Sequence, residues 1–463
     1  MSAQADVVII GAGPAGMACA IEAAGKGVSV LVLDENPAPG GQIYRAVESA
    51  GVRRLEVLGP DYAKGKSLVS AFRAAKGIDY RPGSTVWNIG TDRRVEYSRD
   101  GRSYGVVAGS LVVATGALER PSPCPGWTLP GVTTAGALQI LLKGSGVVHE
   151  DAVLVGAGPL LWLLAAQLVD GGTPPKAVVE TTPPGQALKL LPQLLGALAA
   201  PRYLTKGLAM IRKVKRAGVP HHAGATNIRV EGETEVTGVS FDSNGTTHRI
   251  ASTTVALHQG VVPNQQVTRL LRCKHVWDEA QRCFRPELDD NRETSAPRVF
   301  VAGDGAGIEG AVSAEMQGRL VGLLIAADAG HVEPERIAAL RKQLRREASV
   351  RPFLEALYAP SPEVLAPADQ TIICRCEEVT AGAVREAVDQ GAPGPNQVKS
   401  FLRTGMGPCQ GRVCGLAVAS VIAERTGKAP QDVDYYRIRP PLKPLPLSEL
   451  ASYDSSTGQA SGS

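Results

Sequence analysis

Four cysteines near the C-terminal end have the spacing of a metal or iron-sulfur site. They stand as C-x-C and C-x4-C with 32 residues between the pairs, at Cys374, Cys376, Cys409 and Cys414. Four thiolates can bind zinc or an iron-sulfur cluster. Paired zinc ligands usually stand about two to four residues apart, which C-x-C does not match. The glycines and arginines nearby offer N–H donors and positive charge to an anionic sulfur cluster. We therefore expect an iron-sulfur cluster here, with zinc and unligated thiols as the alternatives.

A glycine-rich loop near the start of the chain has the pattern of a phosphate-binding turn. It follows a β-branched apolar run and fits G-x-G-x-x-G, with the loop residues Gly11, Ala12, Gly13, Pro14, Ala15 and Gly16. The first glycine permits a tight turn, the second lets backbone N–H groups approach a pyrophosphate, and the third lets the helix pack on the strand. The sequence therefore predicts a strand, a dinucleotide-binding loop and a helix whose N-terminus faces an anion.

An acid stands where such a site needs one. A second apolar run, residues 28–33, ends at Asp34 and Glu35, 18 and 19 residues after Gly16. A carboxylate at this point accepts hydrogen bonds from an adenosine ribose. We expect Asp34, which directly follows the strand, to do so, with Glu35 beside it.

Three further segments carry small residues that would let backbone lie against a flat ligand. They are the turn at residues 39–45, the end of an apolar strand at residues 110–117 and a later strand end at residues 299–305. The candidate cofactor contacts in them are Gly41, Gln42, Arg45, Ala114, Thr115, Gly116, Gly303 and Asp304.

Together these motifs resemble the two-dinucleotide flavoproteins of the pyridine-nucleotide oxidoreductase type. The flavoprotein resemblance implies an α/β, Rossmann-like fold in which a second nucleotide domain is inserted in the first. The spacing of the four cysteines resembles that of the bacterioferritin-associated ferredoxins, which implies a small helical [2Fe-2S] domain after this fold. The flavoprotein resemblance also implies that Asp304 contacts the flavin ribityl chain; a helix N-cap is the structural alternative. The expected domains are an FAD-binding domain (1–120 and 290–345), the inserted domain (121–289), a proline-rich linker (346–368), the [2Fe-2S] domain (369–430) and an extended C-terminal arm with a disordered end (431–463).

The inserted domain has its own glycine motif, which departs from the dinucleotide-binding pattern at its last position. Gly156 and Gly158 follow an apolar strand, and a second strand ends at Glu180. The position where close helix packing wants Gly or Ala is Leu161. The segment could bind a nicotinamide nucleotide or could be a retained fold that serves as scaffold. His258, in the return to the first domain, could likewise be catalytic or structural.

The amino-acid composition excludes few classes of protein. The 463 residues are 44% hydrophobic and carry a formal net charge of +4, which gives no argument for nucleic acid or an anionic membrane. The uncharged residues 152–169 contain two glycines and a proline, so we expect a strand, loop and helix and no transmembrane segment. Because we expect the first strand to begin by residue 6, we expect no signal or transit peptide. We expect a cytoplasmic protein, with peripheral attachment to the inner membrane as the alternative.

Nearly the whole chain, residues 5–450, resembles the α subunits of bacterial heteromeric amino-acid dehydrogenases. That family includes hydroxyproline and proline dehydrogenases, opine oxidases and hydrogen cyanide synthase; residues 114–121 and 125–132 carry the likeness along with the motifs above. The resemblance implies a β subunit whose flavin oxidises the substrate, and in some members a small third subunit. It implies FAD in the α nucleotide site of some members and NAD or ATP in others, with FMN at a subunit interface in several.

The residues themselves favour electron transfer over nucleophilic, dithiol or acid–base catalysis. The sequence shows no nucleophile elbow, dithiol pair or obvious general base beside the flavin motifs. We therefore assign no catalytic residue. The expected function is a relay from a secondary amino acid (hydroxyproline, proline or opine class) through flavin and [2Fe-2S] to an acceptor such as a quinone. The alternatives are a self-contained NAD(P)H-dependent reductase and a non-catalytic redox-sensing scaffold.

Three remaining segments are predicted as surface features. The basic residues 203–217 form a solvated helix face or a docking patch for an acidic partner. Residues 352–367, with four prolines, are expected to be a linker. The tail from Asp434 is polyproline-like, and we expect it to lie along a partner subunit, with free disorder as the alternative; residues 454–463 are expected to be disordered.

Overall fold

The computed structural model describes residues 3–454 and 459–460, and its first sheet is built around an apolar strand with neighbours on both sides. Six strands are, in spatial order, Ile78–Pro82, Val30–Asp34, Ala3–Ile10, Arg102–Val113, Arg94–Arg99 and Thr85–Ile89. A seventh, Val299–Val301, pairs in parallel with Arg102–Val113. The chain thus leaves this sheet and returns to it some 180 residues later. This is the nested arrangement that the sequence predicts.

Two helices of the first domain touch backbone to backbone. Pro14–Ala24 follows the glycine loop, and Ala311–Asp328 crosses it. A Cβ added at Gly318 would come within 2.0 Å of the carbonyl oxygen of Ala15, so only glycine fits at that crossing. The other helices of this domain are Val52–Leu58, Pro60–Ala63, Gly65–Ala74, Gln266–Leu270 and Pro334–Ala348, with a 3-10 turn at Asp304–Ala306.

We expect Gly318→Ala to lower the free energy of unfolding by about 2–3 kcal/mol, because the added methyl group must push two backbones apart. The matched control is Gly207→Ala, on the helix Pro201–Arg216, where a Cβ meets nothing within 4 Å. That change should raise the stability by up to about 1 kcal/mol through helix propensity. Thermal unfolding of both variants checks the difference; equal midpoints would contradict the close crossing.

The inserted domain has a parallel five-stranded sheet and an antiparallel three-stranded sheet. The first has the order His221–Ala223, Ala177–Glu180, Val153–Ala157, Val255–Gln259 and Val132–Thr134; the second is Thr226–Glu231, Gly238–Ser243 and Thr246–Ala251. The helices are Ala135–Ser145, Pro159–Gly171, Gln186–Lys189, Leu191–Ala197 and Pro201–Arg216. The last of these carries the basic stretch. Within the stretch, Lys206 and Lys213 form ion pairs with Asp61 and Asp170, so part of it is paired within the chain.

Two crossing segments join the domains, and a buried arginine fixes them. Ala117–Glu119 leaves the first domain and pairs with the returning Val261–Pro263. The guanidinium of Arg120 donates to the carbonyl oxygens of Gln259, Gln281 and Arg282. Burial lowers the pKa of Arg120. The hairpin His275–Asp278 and Cys283–Pro286 lies next to this junction.

The proline-rich linker is helical and packed instead of extended. Its helices are Arg351–Leu357 and Pro362–Leu365, and each has its proline in the first turn, where a missing N–H costs nothing. Phe353 is buried, the backbone N–H of Ser361 donates to Gln259, and Glu363 accepts from the backbone of Asn227. The prolines therefore start helices that cover the inserted domain.

The cysteine domain shares one hydrophobic core with the first sheet. Its elements are Ile372–Cys374, Val379–Thr380, Ala381–Asp389, Pro395–Leu402, Cys414–Thr426 and Pro430–Val433. Ile373, Val384 and Val418 belong to the same buried cluster as Val8 and Leu111. Two polar contacts add to this docking: Trp127 donates to the carbonyl of Ile372, and Arg269 pairs with Asp434. The domain is held in a fixed position by its core.

The C-terminal arm lies on its own chain, which corrects the expectation of a partner-bound or free arm. Tyr435, Tyr436, Ile438 and Leu442 are buried, because the tail can bury these side chains against the cysteine domain and the first sheet. Leu447 stays exposed at the start of the helix Leu447–Ala451. Of residues 454–463, expected to be disordered, Asp454 ends a short strand, Tyr453–Asp454, that pairs with Gln459–Ala460. Residues 455–458 and 461–463 lie outside the described residues. Within the described chain, none of the helices has the length and apolar character to cross a membrane.

Candidate cofactor cavity and cysteine loop

A cavity of about 680 Å³ runs along the carboxyl ends of the first sheet. Thirteen of the fifteen candidate cofactor contacts line it: Gly11, Gly13, Pro14, Ala15, Asp34, Glu35, Gly41, Gln42, Ala114, Thr115, Gly116, Gly303 and Asp304. Gly16 and Arg45 do not. Gly16 instead lets the helix pack on the loop, since a Cβ there would meet the carbonyl oxygen of Gly11 at 1.9 Å.

The glycine loop has the shape of a pyrophosphate cradle. Gly11 has a φ of +104°, and a Cβ there would lie 2.5 Å from the carbonyl oxygen of Ala114. Gly13 and Gly41 face each other so closely that a Cβ on Gly41 would come within 2.9 Å of the Gly13 Cα. Backbone is therefore exposed to the cavity on two sides, ahead of the N-terminus of Pro14–Ala24. These residues fit the phosphates of a dinucleotide such as FAD.

The two acids at the end of the second strand have different surroundings. The Asp34 carboxylate is buried and accepts hydrogen bonds from the backbone of Ala12 at 2.5 Å and from Asn36 at 2.7 and 2.9 Å. Arg45 donates to the Asn36 side chain, so it supports Asp34 from outside the cavity. Glu35 is half exposed and pairs with Lys443 of the C-terminal arm. Both acids stay candidates for the ribose.

Asp304 fixes the loop before a helix whose N-cap is Gly310, so it is not itself the N-cap of that helix. Its Oδ1 accepts the backbone N–H groups of Glu309 and Gly310 at 2.9 and 2.8 Å, just before the helix Ala311–Asp328. The residue also lines the cavity. A carboxylate has two oxygens, so fixing the loop with one leaves the other for a ligand hydroxyl.

Lys143 is a cavity residue that the motifs do not reveal. Its ammonium donates to the carbonyl oxygen of Gln42 at 3.0 Å and to Gln139 at 2.9 Å. Burial, with a smaller contribution from the charge of Arg45, lowers the pKa of Lys143 to about 7. The only sequence signal is a single charge within the otherwise uncharged helix Ala135–Ser145.

The low pKa makes stability depend on pH. Between pH 7 and the ordinary pKa of 10.5, the unfolded chain holds a proton that folded Lys143 releases, so stability from this group rises with pH. Lys143→Met removes this dependence. In the nucleotide-free chain, the stability of the variant relative to wild type should fall by up to about 1.4 kcal/mol per pH unit from pH 7 to 9. Urea unfolding at several pH values checks this; Lys189→Met, at an exposed lysine, should show no such slope.

A buried histidine and glutamate face the same cavity. His258 Nδ1 lies 2.6 Å from Glu119 Oε1, and the other oxygen of Glu119 accepts the backbone N–H of Gly136 at 2.9 Å. The His258 ring lies against Gly158 of the second glycine motif. The pair therefore holds the junction of the two domains, which agrees with a structural role for His258.

The acid of the second nucleotide motif is already bound by protein. Glu180 accepts from the Trp162 indole N–H at 3.0 Å, and its other oxygen lies 3.0 Å from His221 Nε2. Tyr358, from the helical linker, packs in the same core and its pKa is raised by burial and by the charge of Glu180. An adenosine ribose would need the Glu180 carboxylate as its acceptor. Trp162 and Tyr358 therefore occupy the space beside that carboxylate.

The four cysteines are neighbours in space. The thiol of Cys414 lies within hydrogen-bonding reach of Cys374 and Cys409, and Cys409 within reach of Cys376. The contact with Cys414 lowers the pKa of Cys374 and of Cys409. Burial and the neighbouring thiols raise the pKa of Cys376, and the contacts with Cys374 and Cys409 raise that of Cys414. In the described part of the chain no three His, Cys, Asp or Glu side chains surround one metal ion. A row of four thiols suits a cluster whose ligands are divided between two irons.

We expect Cys409→Ser to remove the cluster: iron and acid-labile sulfide should fall from about two of each per chain toward zero. The control is Cys273→Ser, since the buried Cys273 thiol lies outside the cysteine domain and donates to Thr294 Oγ1, a bond that serine can keep. Visible absorption and iron assay distinguish the variants. Full iron in Cys409→Ser would exclude Cys409 as a ligand.

Comparisons with known proteins agree with this geometry. Residues 5–318 match the pyridine nucleotide-disulphide oxidoreductase family, and residues 372–424 match the BFD-like [2Fe-2S] binding domain. An opine oxidase subunit of Rhizobium meliloti is 44% identical over 96% of this chain and 87% of its own. Hydrogen cyanide synthase subunit HcnB of Pseudomonas aeruginosa is 34% identical over 95% and 97%. The crystal structure of L-proline dehydrogenase from P. horikoshii shares the fold at 20% identity, with a TM-score of 0.72 over 97% of this chain and 80% of that one.

The chain therefore belongs to the class of proteins in which a pyridine nucleotide-disulphide oxidoreductase fold is joined to a [2Fe-2S] domain, as the sequence predicts. The match to a [2Fe-2S] domain favours the cluster over zinc. Within that class, the chain belongs to the family of these opine oxidase subunits. It is a flavoprotein-type oxidoreductase subunit that carries an iron-sulfur domain.

Proposed function

We propose that this chain is the electron-transfer subunit of a heteromeric dehydrogenase or oxidase for secondary amino acids of the hydroxyproline, proline or opine class. The observation that carries the proposal is the fixed docking of the cysteine domain against the nucleotide cavity. Arg412, between Cys409 and Cys414, lines the same cavity as Gly13 and Asp304. The loop that carries Cys409 and Cys414 and the candidate cofactor cavity are therefore adjacent, which supports electron transfer between them.

The partner would supply the substrate chemistry. Relatives of this chain are named as subunits of opine oxidase, hydrogen cyanide synthase and sarcosine oxidase. Oxidation of a secondary amine removes a hydride from the carbon next to nitrogen and a proton from the nitrogen; water then converts the imine to a carbonyl. We place this step on a flavin-bearing β subunit and include a small third subunit in the complex. A quinone that takes up two electrons and two protons is a suitable acceptor.

FAD is the cofactor we propose for the cavity, held by the glycine loop, Asp34 and Asp304. NAD or ATP would use the same loop and acid, and FMN at the β-subunit interface is a further proposal. A flavin takes two electrons and releases them singly, which matches a one-electron cluster. We place the complex in the cytoplasm, with peripheral membrane attachment as the alternative.

The test uses the chain purified with its co-purifying subunits. Hydroxyproline, proline or an opine should bleach the flavin spectrum anaerobically, and electrons should then reach a soluble quinone analogue. With Cys409→Ser, bleaching should persist while quinone reduction falls at least about tenfold; Cys273→Ser should retain both. If the chain without any partner oxidised these substrates at the full rate, the relay would be wrong.

A self-contained NAD(P)H-dependent reductase is the second candidate. The bound state of Glu180 disfavours it, because that acid is the one an inserted nicotinamide domain would offer to the ribose. Rapid bleaching of the isolated chain by NADH would favour it instead. A purely sensing scaffold would hold no reducible flavin, so substrate-driven bleaching separates it from the relay.

A further inference from the structure

One short segment of the C-terminal arm touches both cofactor sites. We name residues 434–443 the strap and residues 407–414 the cysteine loop. Tyr435 donates its hydroxyl hydrogen bond to the carbonyl of Gly411 at 3.2 Å, and the Tyr436 hydroxyl lies 3.7 Å from the Cys414 sulfur. Arg412 donates to the carbonyl oxygen of Leu442 and, at 3.0 Å, to that of Cys409. The strap is thereby attached along the cysteine loop.

The end of the strap lies at the acid end of the nucleotide cavity. The backbone N–H of Leu442 donates to the carbonyl of Trp87 at 2.7 Å, and the Leu442 side chain is buried. Lys443 forms an ion pair with Glu35 and interacts electrostatically with Asp34. Leu442, Lys443 and Arg412 all line the cavity together with Asp34 and Glu35. Three groups that are distant from the glycine loop in sequence thus form the wall beside the candidate ribose acid.

Charge explains what this wall contributes. Asp34 and Glu35 place two carboxylates where an anionic nucleotide must bring its adenosine. The Lys443 ammonium offsets one of these charges, and it has three hydrogens with which to bond both Glu35 and a further acceptor. An ammonium hydrogen beside Asp34 can donate to a ribose hydroxyl or a phosphate oxygen. The strap therefore supplies both a wall and a cation.

We propose that the strap completes the adenosine end of the nucleotide site through Lys443 and couples that site to the iron-sulfur cluster through Arg412. The proposal rests on the nucleotide site and cluster of the proposed function. A nucleotide that holds Lys443 in place also holds Leu442, which Arg412 ties to the cysteine loop. Linkage then requires that cluster and nucleotide raise each other's affinity by the same factor.

The first experiment measures binding of ADP, the part that FAD, NAD and ATP share, to the nucleotide-depleted full chain carrying its cluster. By calorimetry, Lys443→Met should weaken ADP binding roughly tenfold. Lys443→Arg should stay within about threefold of wild type, because it keeps the charge. The control is Lys428→Met, which removes the same charge from an exposed position in the cysteine domain. Equal affinity of Lys443→Met and wild type would overturn the role of Lys443, as would an equal loss in Lys443→Arg.

The second experiment tests the coupling. Removal of the cluster iron by a chelator should weaken ADP binding to wild type by about fivefold and leave the binding to Lys443→Met unchanged. An unchanged wild-type affinity would overturn the coupling, and an equal loss in both proteins would show that it does not pass through Lys443. No ADP binding to wild type would overturn both this proposal and the nucleotide site. ADP binding without any effect of Lys443 would overturn this proposal alone, and substrate-driven bleaching of the complex tests the relay separately.

Discussion

The close approach of backbone segments at the glycine loop is the constraint on which the first domain depends. Gly11 lies against the carbonyl of Ala114, Gly16 against that of Gly11, and Gly318 against that of Ala15, each at a distance that excludes a Cβ. These contacts set the positions of two strand ends and two helices at once. The cavity walls follow from this packing, because Ala114, Gly303 and Gly41 belong to the segments that it brings together. A side chain at any of the three glycines would separate walls that a cofactor needs to touch together.

The cysteine domain is bound to this framework by a continuous apolar core. Electron transfer needs cofactors at a fixed separation, and a cluster on a mobile tether would not provide one. Here Ile373 and Val418 pack in the same core as Val8, while Arg269 pairs with Asp434 and stacks on Phe284 and Tyr435. In our proposal this packed arrangement carries electrons between the two cofactors, and the substrate chemistry takes place on another subunit.

The inserted domain has a nucleotide-binding fold, but the groups that would bind a nucleotide contact other residues of the protein instead. The glycines at 156 and 158 are retained, and both have positive φ, but His258 lies against them. Glu180 bonds Trp162 and His221, and the helical linker covers the region with Tyr358. Each of these contacts fills space near the second glycine motif or satisfies a polar group there with a protein partner. We infer that this domain now serves as the wall of the cavity and the support of the junction.

The sequence by itself determined the fold class, the glycine loop and the cysteine motif of the iron-sulfur domain. These depend on local rules: only glycine permits the tight approach at Gly11, and cysteine pairs at fixed spacing have few uses in a chain of this kind. Only the tertiary structure decided which distant residues join them. Lys143, Arg412 and Lys443 reach the cavity from three other parts of the chain, and the arm and linker bury apolar side chains that seemed free to meet solvent or a partner. Such contacts depend on which surfaces remain unpaired after the domains fold, and no local pattern encodes that.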